Sequence, residues 1–103
     1  MAMPIRIRAR QRGPFTEVHI LMPHPMETGF RRDEAGHVVP AHHIRDVAVS
    51  LDGRTVFKAH LSIAVASDPV LAFRVAGART GQRLRATWTD TQGEVRSGEA
   101  AIG

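Results

Sequence analysis

The chain has 103 residues, of which 43% are hydrophobic and 23% charged, with a formal net charge of +4 and no cysteine. One two-layer core fits that length and a deep enclosed active site does not; no run is apolar enough to cross a bilayer as a helix. The missing cysteine excludes disulfides, thiolate metal sites and thiol catalysis on this chain.

Alternation with a period of two dominates and predicts an all-β fold. Ile5-Arg6-Ile7-Arg8-Ala9-Arg10 is a half-buried strand, with Ile5, Ile7 and Ala9 inward and the arginines outward. Gly13-Pro14 ends it. Phe15 to Met22 is a second strand, with Val18, Ile20 and Met22 on one face and Glu17, His19 and Leu21 on the other. The outward Leu21 predicts that this side is partly covered too. After a long segment without regular period, His43 to Leu51 supplies a third strand, Val47, Val49 and Leu51 inward. Asp52-Gly53 then predicts a hairpin, because a type I′ turn needs positive φ at both central residues.

Thr55 to Leu61 is the fourth strand, Ser62 to Pro69 a small-residue connection, and Val70 to Val75 the fifth strand, with Leu71, Phe73 and Val75 inward. Ala76-Gly77 to Gly81 turns the chain into a sixth strand, Leu84 to Thr89, with Leu84, Ala86 and Trp88 inward. Thr91-Gln92-Gly93 turns it again into a seventh, Glu94 to about Ile102. No stretch has convincing helical periodicity. Seven short strands predict a single domain, residues 1–103, folded as an immunoglobulin-like or fibronectin-type antiparallel β-sandwich. Trp88 reads as its core anchor, in preference to a stacking platform for a ligand.

The chemically specific residues crowd into the segment 22–44, which holds Met22-Pro23-His24-Pro25-Met26-Glu27-Thr28-Gly29 and, later, Pro40-Ala41-His42-His43-Ile44. A long loop of this composition in a small domain is where function sits, as a metal site, a partner-docking loop or a rigid strap. Met22, His24, Met26 and His42 have the ligand types of a Cu(I) site. Pro23 and Pro25 stiffen the segment into an extended form that puts Met22, His24 and Met26 on one side. Met22, however, also continues the inward Val18-Ile20 face and so reads as core.

Acid–base or nucleophilic catalysis lacks support. Glu27 and Asp33 are placed by no regular element, and no serine or lysine motif accompanies the histidines. His19, His37 and His60 have no partners visible in sequence and read as surface groups. Gly29-Phe30-Arg31-Arg32-Asp33-Glu34-Ala35-Gly36 reads as an excursion that projects and returns. Its Phe30 is either an interface anchor or a ring tucked beneath its own loop.

Thirteen of the fourteen basic residues are arginines, clustered only at Arg6, Arg8, Arg10 and Arg12 and again at Arg79, Arg83 and Arg85. With ten acids interleaved and no aromatics neighbouring these groups in sequence, solvated strand faces are favoured over a nucleic-acid surface. A partner with an acidic face is compatible with the same pattern.

The run His24 to Gly29, followed by Arg31 or Arg32, Asp33, Gly36, Pro40-Ala41-His42 and Ile44, resembles the signature of the Z subunit of the SoxYZ thiosulfate-oxidation carrier. The likeness extends over nearly the whole chain, through Pro4 to Arg8, the Gly53 hairpin, the Phe73 strand, the Gly77 to Gly81 turn, Thr87-Trp88-x-Asp90 and the close near Glu99-Ala100. It implies an immunoglobulin-like sandwich without nucleophile or cofactor, paired with a Y subunit whose Gly-rich tail carries the cysteine that holds sulfur intermediates. It further implies a periplasmic location. The chain opens without an apolar signal core, so export would depend on the signal-bearing partner.

On this reading, His24, Pro25, Met26, Glu27, Thr28, Gly29, Phe30, Arg31 and His42 form a surface for docking the Y subunit or other sulfur-oxidation enzymes. Neither nucleic acid nor membrane is expected as a partner, and the isolated chain could self-associate through its unpaired face. The alternative is a periplasmic copper- or metal-binding sandwich that uses Met22, His24, Met26 and His42.

Overall fold

The computed structural model describes residues 4–103; the opening Met1 to Met3 lie outside the described residues. Seven strands follow one another: β1 (Arg6–Arg12), β2 (Phe15–Leu21), β3 (Ile44–Leu51), β4 (Arg54–His60), β5 (Val70–Ala76), β6 (Arg83–Asp90) and β7 (Val95–Ala101). They form two antiparallel sheets, ordered β1-β2-β5 and β4-β3-β6-β7. This is the sandwich that the alternation predicts, and no helix occurs among the described residues.

The inward positions follow the predicted parity. Val18, Ile20 and Met22 from β2 and its continuation face Val47, Val49 and Leu51 from β3 and Leu84, Ala86 and Trp88 from β6, all buried in one cluster. Trp88 is fully buried between the sheets, as its place on the inward face of β6 requires. Leu21, on the opposite face of β2, is half-buried.

The two long sides of the sandwich differ. On one side β1 meets β7 closely. A Cβ at Gly98 would stand 2.9 Å from the Ile5 Cβ and 3.1 Å from its carbonyl oxygen, so glycine is what allows the approach. The Gln11 N–H donates to the Gly103 carbonyl, and the Gly103 N–H to that of Ala9. On the other side the sheets diverge, and Leu71, Phe73 and Val75 of β5 are only partly buried. Phe57 and Phe73 stack across this opening with ring centroids 4.5 Å apart and planes within 4°. A register shift between Val49 and Ser50 leaves Val56 as an extra residue in the β3–β4 pairing.

The segment between β2 and β3 is more ordered than an aperiodic loop. It rises from the end of the sandwich as a two-stranded finger, paired at Glu27 with His42 and at Arg32 with Val38. Asp33 turns it at the tip, its Oδ1 accepting the N–H groups of Ala35 and His37. Pro40, which has no N–H, and Gly29 at φ 90° interrupt the ladder, so neither limb reads as a strand in sequence. The molecule measures 53 × 21 × 21 Å.

Candidate functional site

The finger springs from a polar cluster at the end of the sandwich. Pro23 and Pro25 hold the outgoing limb extended, and burial alternates along it: Met22, His24 and Met26 are buried, Pro23 half-buried and Pro25 exposed. The His24 ring therefore points into the protein, edge-on to Trp88 with centroids 5.1 Å apart. His42 arrives on the returning limb and packs edge-on against His24, centroids 4.6 Å apart. Between them stands Asp90, the last residue of β6, which is 1% exposed.

The hydrogen bonds assign both ring nitrogens of His24, Nε2 of His42 and both oxygens of Asp90. His24 Nδ1 accepts the Met26 N–H at 3.0 Å, which leaves its Nε2 to carry the proton and donate to Asp90 Oδ2 at 3.1 Å. His42 Nε2 donates to the same oxygen at 2.6 Å. Asp90 Oδ1 accepts the N–H groups of Gln92 and Glu94, both at 2.9 Å, which forms the turn into β7. The carboxylate thus receives four donors, matching the roughly four lone-pair sites of an ionised group. Burial pushes the Asp90 pKa up, but the His24 and His42 hydrogen bonds and the two N–H groups outweigh it and hold it at about 2.

Two further ties fix the root. The Asp68 side chain accepts the His24 N–H, while its own N–H donates to the His24 carbonyl. Asp68 adopts φ 52° to do so. Met26, at φ 50°, turns its sulfur to accept the Ile44 N–H at 3.3 Å.

The nine residues read from sequence as a docking surface separate into three groups by burial. His24 and Met26 are buried and cannot touch a partner, and His42 shows only the rim of its ring, with its side chain 24% exposed. Glu27, Thr28 and Gly29 are half-buried on the finger's stem. The Glu27 carboxylate has its pKa lowered, mainly because Arg31 binds it through Nη2 at 2.8 Å and Nε at 3.1 Å. Pro25 and Arg31 are exposed, and Phe30 is 79% exposed. Phe30 does not tuck beneath its loop, and Val38 on the returning limb is itself 50% exposed.

The thioether–imidazole ligand set does not hold its sulfurs free. Met22 is fully buried in the core cluster, and the Met26 sulfur is occupied by the Ile44 N–H. The groups that do converge are His24, His42 and Asp90, whose ligand atoms lie within 4.8 Å of one another. His37 and His60, which show no partner in sequence, sit exposed beside Asp33 and Asp46 respectively. Sequence reasoning passed over Asp90 as a site residue, although Leu84, Ala86 and Trp88 place position 90 on the inward face. An acid at a core-facing position is the signal that marks it. Asp68 carries no such signal.

No curated protein gives a significant match to this sequence. Among solved structures the chain resembles a hypothetical protein from Pyrococcus horikoshii OT3, with TM-score 0.70 and 17% identity, covering 99% of this chain and 89% of the other. It resembles a superoxide reductase in the oxidised state equally in identity and coverage, at TM-score 0.68. The reduced superoxide reductase (neelaredoxin) from Archaeoglobus fulgidus gives TM-score 0.62 and 21% identity, covering 99% and 88% of the two chains. At these identities the likeness concerns the sandwich alone. The sequence family described as sulphur oxidation protein SoxZ, in contrast, matches residues 5–101, a span that takes in the finger, its His–Asp–His root and all seven strands. The chain belongs to the SoxZ family of sulphur oxidation proteins.

Proposed function

We propose that the chain is the non-catalytic scaffold of a periplasmic sulfur carrier, reaching that compartment by co-export with its partner. It pairs with a Y-type subunit whose C-terminal cysteine bears the sulfur intermediates, and it presents the finger to that subunit or to the enzymes that act on the cargo. The absence of cysteine here supports placing the covalent step on the other chain. The observation that carries the docking role is Phe30, a large apolar side chain 79% exposed on a finger whose base is tied by hydrogen bonds to the buried Asp90. An exposed ring on a pre-ordered support loses little conformational freedom on binding, which is how interface anchors gain affinity.

Titration calorimetry of the full chain against the Y-type subunit and against each sulfur-oxidation enzyme tests this. Phe30→Ala weakens at least one of these affinities by about tenfold or more. Unchanged affinity for every partner overturns the docking role and leaves the finger a structural strap.

The convergence of His24, His42 and Asp90 favours one other reading, a metal-binding sandwich. It would require His24 Nε2 to give up its proton, or Nδ1 to release the Met26 N–H, and Asp90 Oδ2 to exchange two donors for an ion. Sub-micromolar uptake of Zn²⁺ or Cu⁺, abolished by His42→Ala, would establish it.

A further inference from the structure

The outer face of the three-stranded sheet is a separate feature from the finger. The pairing register lays it out as a grid: Arg6, Arg8, Arg10 and Arg12 form one column, and beside them run Leu21, His19, Glu17 and Phe15. The third column, on β5, is Val70, Ala72, Arg74 and Ala76. Five arginines and one glutamate share this face, so it alone carries a net charge as large as the +4 of the entire chain.

Most other arginines have an acid beside them. Arg83 and Arg85 both bind Glu99, Arg31 binds Glu27, Arg45 binds Asp46 and Arg96 binds Glu94. In the Arg79-Arg83-Arg85 cluster of the sequence, Glu99 is shared by Arg83 and Arg85 and offsets one of the three charges. On the β1 face Glu17 is shared by Arg12 and Arg74. Among the described residues no carboxylate lies within ion-pair distance of Arg6, Arg8 or Arg10. These three, all exposed, line a shallow depression of about 680 Å³ together with the half-buried Leu21 and the 59% exposed Val70.

We infer that this face docks an acidic, extended segment of another protein. Alternate residues of a strand repeat about every 7 Å, so the arginine column matches the carboxylate spacing of a chain that lies along it in β conformation. Guanidinium groups grip carboxylates through two parallel hydrogen bonds, and three unpaired ones in a row leave that geometry unfilled. Leu21 and Val70 at one end, and Phe15 at the other, offer apolar ground for intervening side chains. A phosphodiester strand would use a series of aromatic platforms, and this face has one phenyl ring, Phe15 at its margin, and one imidazole, His19.

The test uses the full chain and a short fluorescein-labelled peptide of alternating glutamate and threonine, followed by fluorescence anisotropy at low and moderate salt. The expected result is saturable binding that weakens with salt and falls about tenfold in the triple variant Arg6→Gln, Arg8→Gln, Arg10→Gln. The double variant Arg54→Gln, Arg79→Gln, which removes unpaired charge elsewhere, leaves the affinity unchanged. Matching melting temperatures for the parent and the triple variant certify the fold. Equal losses in both variants would reduce the effect to bulk charge, and no loss in the triple variant would remove the face from consideration; either overturns the inference. Tighter binding of a single-stranded oligonucleotide to the same arginines would overturn it in favour of a nucleic-acid surface.

Discussion

At its root the finger buries two imidazoles and the Met26 thioether around a carboxylate that accepts four hydrogen bonds. At its tip, a few residues further along, it holds a phenyl ring and a valine in solvent. The root is polar and hidden, while the tip is apolar and exposed, each the reverse of what burial energetics favours. Either arrangement costs stability, and the root recovers much of its cost through the four donors to Asp90 and the two bonds of the His24 ring. The tip has no compensation within the chain, which is the physical reason for seeking it in a partner.

The comparison can be broken most forcefully at the root. Asp90→Asn replaces an acceptor of four hydrogen bonds with an amide that must turn N–H donors against other donors. Urea unfolding is expected to show a loss of about 3 kcal/mol. Acid reaches the same place more gently. Because Asp90 is held at about 2, below its ordinary 3.8, its contribution is fully present above about pH 4 and is lost as pH falls towards 2. The expected loss is about 2 kcal/mol, read as the difference in acid sensitivity between the parent chain and Asp90→Asn; Glu27, Asp46 and Glu99, also depressed, remain in both. Equal acid sensitivity of the two chains would mean that Asp90 is not held ionised by its neighbours.

At the tip the sign of the expectation changes. Phe30→Ala leaves the unfolding free energy within about 0.5 kcal/mol of the parent while partner affinity falls, which sharpens the division between the two regions. A stability loss of several times that size would show that Phe30 packs within the chain. The smallest expected effect is at the imidazoles themselves: titration with Zn²⁺ or Cu⁺ gives no sub-micromolar uptake, because both lone-pair routes at His24 are already occupied.

The strands were legible because each sheet has one core face, and alternation records it residue by residue. The same rule carried into the proline strap, where Met22, His24 and Met26 share the buried side. What sequence could not supply was the partner of those side chains. His24 and Asp90 are 66 positions apart, and only the fold brings the end of β6 under the finger. The pairing of the two finger limbs was hidden for a local reason, since proline and glycine erase the period that would announce it. The arginines were hidden differently: their positions could be read, but whether each finds an acid depends on cross-strand register. That register gives Arg83 and Arg85 a shared acid in Glu99 and leaves Arg6, Arg8 and Arg10 without one.

From Glu27 to Asp33 the finger advances six residues, which caps its reach at roughly 20 Å, the length of a fully extended strand. Its base is gripped at a few points around one carboxylate, so it acts mechanically as a lever with a short heel and a long arm. A rocking of roughly 10° at the heel would shift Phe30, three residues and at most roughly 10 Å beyond Glu27, by roughly 2 Å. The hydrogen-bond lengths around Asp90 therefore set the aim of a side chain they never touch.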